Sequence, residues 1–565
     1  MLHESNGIPR VAYFSMEIAL DHDISTYSGG LGVLAGDTLR SAADVGLHMV
    51  AVTLVSRAGY FYQQIGVDGN QIEIPQFWNP EQRGLRACPA KVSINIEGRT
   101  VWIGGWEYKI RGQGGGTELP VILLDTDLPE NAPEDRELSL YLYGGDATYR
   151  FKQEMILGIG GTRLLQALGF HINKYHMNEG HSALLTIELL QRYAYSYRDL
   201  RPGESAFNLP LVRSKCIFTT HTPVEAGQDK FDYNMVQQVM RDDFIDISEF
   251  KKLAGEDCLN MTRLALNLSE YINGVAKGHA VVSRQMFPSY RVHAITNGVY
   301  SQKWTSPQMA ALYDQFLPGW RHEPEQLQRI DQIDEEEILQ AHHQAKTILF
   351  DLVQKLTGKT LDLSLPTIGF ARRMTAYKRP DLLFSDRKRL RAIAKKQPFQ
   401  LILAGKAHPS DYHGKELISA LHRFIQELAD DLTIVYLPGY DTQMALSLVS
   451  GVDIWLNTPL RPMEASGTSG MKAAFNGVPS LSVLDGWWLE GCQEGVTGWA
   501  VGGVEVGNEA EDIADLYHKL EHVVLPAYAD PQQWIRLMRG AIGHNASVFN
   551  THRMIRRYAS EAYKL

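Results

Sequence analysis

The sequence predicts an α/β protein built from two doubly wound, Rossmann-like domains that face a deep cleft. Three observations predict it. Short apolar runs alternate with helix-like segments nearly throughout, the rhythm of βαβ units and parallel sheets. At 565 residues the chain is too long for one hydrophobic core and calls for at least two domains. In the second half each apolar run ends in a polar or glycine-containing loop, where open α/β sheets hold ligands.

In chain order, VAYFSMEIAL reads as the first strand, LRSAADVGL as a helix and MVAVTLVS as the next strand. Residues 97–125 read as a β-hairpin insertion. KCIFTTH and HAITNGV follow as later strand ends. The stretch 301–345, with QRIDQIDEEEILQAHHQ, is rich in charge and reads as exposed helix joining two halves. Beyond it come the strand TIGFARR, a helix from about Arg379, the strand FQLILAG and the helix KELISALHRFIQELA. The strand LTIVYLPG, the helix DTQMALSLVSG and the strand VDIWLNT complete the alternation. The resulting division is 1–300 as an N-terminal Rossmann-like domain with the hairpin, 301–345 as linker helices, and 346–565 as a C-terminal Rossmann-like domain. The last helix is a candidate to dock back on the N-terminal domain. No solenoid repeat or low-complexity segment interrupts this plan.

Hydrophobic residues make up 44% and charged residues 21%, a globular composition. The formal net charge of −10 argues against a general nucleic-acid or membrane-surface binder. Any anion site must then be a local basic cluster. Four scattered cysteines, with no CxxC pair or zinc spacing, point to a reduced cytoplasmic setting and to no metal site. No apolar run is long enough to span a bilayer, and the N-terminus lacks a signal pattern. The expectation is a soluble intracellular enzyme or binding protein.

EASGTSGMKAAFNG, residues 464–477, sets Lys472 after a glycine- and hydroxyl-rich turn at the start of a small-residue helix. Free N–H groups there suit an anion, and the lysine suits either a phosphate contact or covalent chemistry with an aldehyde cofactor. ARRMTAYKRP, residues 371–380, clusters Arg372, Arg373, Lys378 and Arg379 after a buried strand; it is a phosphate site or a solvated charge run. TYSGGLGVLAGDTL opens a helix near Val33 behind Gly29, Gly30 and Gly32. It lets backbone approach an anion or sugar, or serves only a tight turn. His221 follows the strand KCIFTT, as a structural or a functional histidine. HMNEGHSALL lacks the HExxH spacing and a third ligand, so capping and hydrogen bonding are expected of it. Asn297 and Gly298 form a turn between the halves, Lys406 and His408 follow a strand, and Trp487 and Trp488 suit core packing or a sugar-stacking rim.

Together and in this order, these segments resemble the α-glucan phosphorylases, the family of glycogen, starch and maltodextrin phosphorylase, over most of the chain from VAYFSMEIAL to DGWWLEG. EASGTSGMK is similar to the family's pyridoxal-phosphate signature, and RRMTAYKR to its phosphate-binding loop. SGGLGVLAG, HMNEGHSAL, THT and ITNG match its glycine loop, inner helix start, catalytic histidine region and a glucose-contacting turn. The resemblance implies a glycosyltransferase B-type fold and reversible phosphorolysis of α-1,4-glucans from the non-reducing end, releasing α-glucose 1-phosphate with retention. It implies pyridoxal 5′-phosphate carried on Lys472, with Arg372, Thr468 and Gly30 close to the phosphates. Arg373 and Lys378 match residues that hold substrate phosphate. Glu464, Ser466, Gly467, His221 and Asn297 match positions that bind the glucosyl unit. Lys472, Arg373, Lys378 and His221 form the implied catalytic set. The implied partners are an α-1,4-glucan or maltodextrin and orthophosphate, with neither nucleic acid nor membrane. A homodimer is the family's common assembly.

The chain departs from that family at GTSGMK, where many members have GTGNMK, and at Thr375-Ala376, which replaces His-Glu. It is far shorter than the animal enzymes and begins almost at the first core strand, so their N-terminal regulatory region is expected to be missing. The pattern is nearest the short bacterial-type enzymes. In the implied mechanism the cofactor's phosphate lies beside orthophosphate and helps it protonate the glycosidic oxygen. Two phosphates about 4 Å apart repel by roughly 4 kcal/mol per unit-charge pair at an effective dielectric near 20. A cluster such as Arg372, Arg373 and Lys378 meets that need. Two rivals are a nucleotide-sugar glucan synthase of the same fold and a noncatalytic glucan-binding protein. The synthases often carry two glutamates eight positions apart, whereas Glu464 is followed eight positions on by Lys472. Binding alone needs neither that lysine nor the basic loop.

Overall fold

The computed structural model describes residues 10–196, 198, 200, 205–241, 245–504 and 508–565. It is a mixed α/β structure around two main sheets. The strands of the first half are β1 (Val11–Phe14), β2 (Met49–Leu54), β3 (Tyr62–Ile65), β4 (Gln71–Ile74), β5 (Arg86–Ala87), β6 (Val92–Ile96) and β7 (Arg99–Arg111). They continue as β8 (Glu118–Asp125), β9 (Lys174–Asn178), β10 (Cys216–Thr219), β11 (Lys230–Phe231), β12 (Leu259–Asn260), β13 (Tyr271–Gly274) and β14 (Val292–Ala294). The second half holds β15 (Thr367–Ala371), β16 (Gln400–Ala404), β17 (Thr433–Leu437), β18 (Ile454–Asn457), β19 (Ser480–Val483) and β20 (Gly498–Val501).

The first sheet runs β14-β13-β10-β9-β1-β2-β8-β7-β5 and is parallel from β14 to β8. The second runs β17-β16-β15-β18-β19-β20 and is parallel throughout. Strand order reverses between β1 and β9 in one sheet and between β15 and β18 in the other. At such a reversal successive connections leave in opposite directions, and the strand ends open a crevice. Val11, Ala12 and Phe14 of β1 are fully buried, as expected of a parallel strand covered on both faces.

Four sequence expectations change. The hairpin expected at 97–125 forms, as β7 and β8 pair antiparallel, but it is part of the main sheet and not an insertion beside it, because β8 pairs with β2. The stretch 301–345 is not exposed helix: Trp304, Met309, Trp320, Leu327, Ile330 and Ile338 are buried in the core of the second half. Charges cover only its outer face, and its long helix runs Glu335–Thr357, past residue 345. Buried Asp453 anchors that helix by accepting from Lys346 Nζ at 2.7 Å. The helix expected from Arg379 begins at Arg387 instead, after a 3-10 turn at Leu382–Phe384. The helix expected near Val33, here called α1, spans Gly30–Asp44.

The terminal segment packs on the first sheet. Ser41 and Thr551 hydroxyls lie 2.6 Å apart, and His176 Nδ1 lies 2.7 Å from Tyr563 Oη. Among the described residues no helix is long and apolar enough to cross a membrane.

Candidate active site

Chemistry-bearing side chains collect where the two sheets reverse. Glu17, three residues past β1, is buried and accepts from the backbone N–H of Ser28 at 2.6 Å and of Gly29 at 3.1 Å, and from Tyr143 Oη at 2.9 Å. The carboxylate thus ties the glycine turn to the strand end. α1 starts just beyond, and its first-turn N–H groups have no acceptor within the helix. Space beside Gly30 is open, while a Cβ on Gly29 would stand 3.2 Å from an Arg373 guanidinium nitrogen. Here the two halves meet.

Beyond β15 the basic run divides. Arg372 Nη2 lies 2.5 Å from Glu464 Oε2, and Lys378 Nζ bonds the same oxygen. Arg372 Nη1 is buried with no partner among the described residues. Arg373 is exposed to solvent, and among the described residues no hydrogen bond or ion pair engages it. Partial desolvation of its guanidinium works against the charge, but nearby Tyr377, Glu17, Tyr60 and Tyr143 outweigh it and raise the pKa above the ordinary arginine value. Arg379 leaves the cluster. It is buried with φ 44, and it donates to Thr458 O, Pro459 O and Asp512, a structural role.

Burial alone would raise the Glu464 carboxyl, but Arg372 and Lys378 hold it down to about 2. Its backbone N–H donates to Asp485, whose carboxyl burial pushes up to about 6. Because the folded pKa of Glu464 lies below its ordinary 4.5, the stability it contributes is complete above about pH 5. That stability drains away as pH falls toward 2. The gap in thermal midpoint between the protein and its Glu464→Gln variant is expected to narrow steadily over that window. A constant gap would mean that Glu464 is not the counter-ion.

Gly467 has φ +70, which lets the chain turn beside Glu464. Ser466 is buried; its carbonyl accepts from Trp487 N at 2.8 Å, and its hydroxyl donates to Gly467 O at 3.1 Å. Trp487 and Trp488 are buried against each other, which decides for core packing over a sugar rim. Thr468 precedes the short helix Ser469–Ala474 with no side-chain cap bond. Lys472 is the fourth residue of that helix, rather than its start. Its Nζ stands 3.8 Å from the Trp304 ring centroid, with no hydrogen-bond acceptor among the described residues. Burial lowers this amine to about 8, with Asp37 opposing.

His221 Nε2 lies 2.7 Å from Asn178 Oδ1, and its backbone N–H donates to Glu179 Oε2 at 2.7 Å. Asn178 Nδ2 in turn donates to Ser15 Oγ at 3.2 Å, which fixes the amide's orientation. Nε2 of His221 therefore carries the proton and leaves Nδ1 as an acceptor. Burial foremost, and then His279, His176 and His181, lower its pKa to about 3, so the ring is neutral. Asn297 is buried; its N–H donates to Val275 O and its carbonyl accepts from Arg553.

The structure thus joins Arg372, Lys378, Glu464 and Gly467 directly, and sets Gly29 and Gly30 beside Arg373. Lys472 touches none of these. Its neighbours are Trp304 and Asp37, themselves bonded at 2.6 Å. Sequence reasoning missed Glu17, Asp37, Tyr143, Trp304 and Asp485. A carboxylate inside the apolar run VAYFSMEIAL was a usable signal for Glu17, because burying it demands partners.

The sequence model of the carbohydrate phosphorylase family matches residues 170–498. A maltodextrin phosphorylase of Thermococcus litoralis is 37% identical, over 98% of this chain and 70% of that protein. A glycogen phosphorylase of Aquifex aeolicus is 33% identical, over 98% and 86%. One of Mycobacterium tuberculosis is 34% identical, over 98% and 70%. With a family match across more than half its length and relatives of this identity over nearly all of it, the chain belongs to the carbohydrate phosphorylase family.

Proposed function

We propose that this protein phosphorolyses α-1,4-glucans from the non-reducing end, releasing α-glucose 1-phosphate reversibly and with retention. The observation that carries the reading is the basic cluster at the reversal of the second sheet. There Arg372 and Lys378 share one carboxylate, while Arg373, beside the glycine turn, pairs with none of the described side chains. Family membership and the names of its relatives, maltodextrin and glycogen phosphorylase, support the same substrates.

The residues fit pyridoxal 5′-phosphate. A buried amine with a lowered pKa and no acceptor among the described residues suits an aldehyde, and Arg372 Nη1, without a described partner, suits a phosphate oxygen. Lys472 would hold the cofactor, with Arg372, Thr468 and Gly30 toward its phosphate. Once bound, it supplies a second phosphate able to exchange a proton with orthophosphate.

Arg373, Arg372 and Lys378 offset the repulsion between two phosphates, which amounts to roughly 4 kcal/mol for each close charge pair. Orthophosphate arriving at Lys378 competes with Glu464 for that cation. The freed carboxylate can then accept from a hydroxyl of the glucosyl unit. His221, neutral and with Nε2 committed to Asn178, offers Nδ1 to another hydroxyl. Ser466, Gly467 and Asn297 complete the sugar site. Retention requires phosphate to enter on the face that the leaving chain vacates, and these cations would hold it there.

In this reading the first half, to about residue 300, and the second half are two Rossmann-like domains in a glycosyltransferase B-type arrangement, with 301–345 joining them along the chain while packed in the core of the second. The setting is cytoplasmic and the assembly a homodimer. The test is product analysis by phosphorus NMR with a maltodextrin and each donor supplied in turn. α-Glucose 1-phosphate is expected with orthophosphate, and primer elongation in reverse. Turnover with a nucleotide sugar and none with orthophosphate would overturn the reading.

A further inference from the structure

We infer that Gln63 and Gln71, on the β3–β4 hairpin, are positioning residues for the orthophosphate-binding loop. The inference rests on the phosphorolytic reading above. The hairpin faces the wrong way for an ordinary one. Gln63 and Gln71 are 0% and 7% exposed, while Tyr62 and Ile72 are 46% and 47% exposed. A half-buried hairpin usually turns its apolar side inward. Buried amides persist where each polar group finds a partner; here Gln71 Nε2 donates to Glu73 Oε1 at 2.7 Å on the hairpin itself, and the backbone partners of both amides belong to the other half of the chain.

Gln71 pairs with both backbone groups of Ala407. Its Nε2 donates to Ala407 O at 3.0 Å, and its Oε1 accepts from Ala407 N at 3.0 Å. Gln63 Nε2 donates to Gly405 O at 2.8 Å and to Gln71 Oε1 at 2.9 Å, and its Oε1 accepts from Gly439 N at 3.1 Å. The segment they grip supports the basic loop. Arg372 N donates to Ala404 O at 3.2 Å and Met374 N to Lys406 O at 2.9 Å, on either side of Arg373. A Cβ on Gly405 would stand 1.9 Å from Arg372 O, so the two segments touch. Among the described residues the Arg373 side chain has no hydrogen-bond or ion-pair partner to orient it. Its backbone must therefore be held, and the amides of the first half supply the hold. Amides suit the role because they donate and accept at once and carry no charge that pH could change.

The test uses Gln71→Met and Gln63→Met, which keep length and lose the hydrogen bonds. Orthophosphate KM is expected to rise about tenfold in each, with the maltodextrin KM within twofold of the original. Orthophosphate affinity by calorimetry, without glucan, is expected to weaken in parallel. Combined with Arg373→Ala, Gln71→Met is expected to add little, because it acts through that side chain. Ile72→Ser, on the exposed face, should change neither constant. An orthophosphate KM within twofold of the original in a folded Gln71→Met protein overturns the inference, as does an equal rise in both KM values. Full additivity with Arg373→Ala does so too. If Gln71→Met melts early, Gln63→Met carries the same measurements. Absence of orthophosphate turnover in the unaltered protein sinks the proposed function instead, while calorimetry still reports whether the amides set anion affinity.

Discussion

Lys472→Ala is expected to reduce phosphorolysis by at least about a thousandfold, the order of loss when preorganised transition-state stabilisation is removed. The fold should survive, because among the described residues the Lys472 amine makes no ion pair, and neighbouring Asp37 keeps the bonds it accepts from Trp304 Nε1 and Tyr300 N. The decisive readout is chemical. After incubation with pyridoxal 5′-phosphate and borohydride reduction, peptide mapping should find the pyridoxyl group on Lys472 and none in the variant. Lys303 and Lys406 are the controls, since burial lowers both amines as well, to about 7 and about 8. An adduct on either of them, or full turnover in Lys472→Ala, would remove Lys472 from the site.

Arg373→Ala is expected to lower kcat/KM for orthophosphate about ten- to hundredfold, the equivalent of a charge-assisted contact of roughly 1.5–3 kcal/mol. Thermal stability should barely move, because the guanidinium is exposed and no described side chain pairs with it. Arg373→Lys should recover only part of the loss, since an ammonium keeps the charge but not the two-pronged grip on phosphate. The measurement is initial rate against orthophosphate at fixed maltodextrin. Unchanged constants would return Arg373 to the class of solvated surface charges.

Much of this fold was legible in the residues. The parallel strands around TIGFARR, FQLILAG, LTIVYLPG and VDIWLNT are continuous apolar runs because both faces of such a sheet are covered. The helices between them carry an apolar stripe. The 301–345 stretch misled because charge counts report the solvent face, while Trp304, Trp320 and Ile338 are spaced to face the core. The helix expected from Arg379 failed for a tertiary reason: Asp512 and two carbonyls claim that arginine from across the domain.

The sequence by itself determined the α/β class, the family and the residue types gathered at strand ends. Local periodicity and turn chemistry carry those, and neither depends on distant partners. Only the tertiary structure decided how the basic run divides. Arg372 and Lys378 go to Glu464, some ninety residues onward, Arg379 goes to Asp512, and Arg373, opposite Gly29, is left without a partner among the described residues. It also decided that Glu17 braces the glycine turn and that a hairpin from the first half grips the loop of the second. Such pairings follow from which strand ends the sheet order brings together, and a one-dimensional pattern does not encode that order.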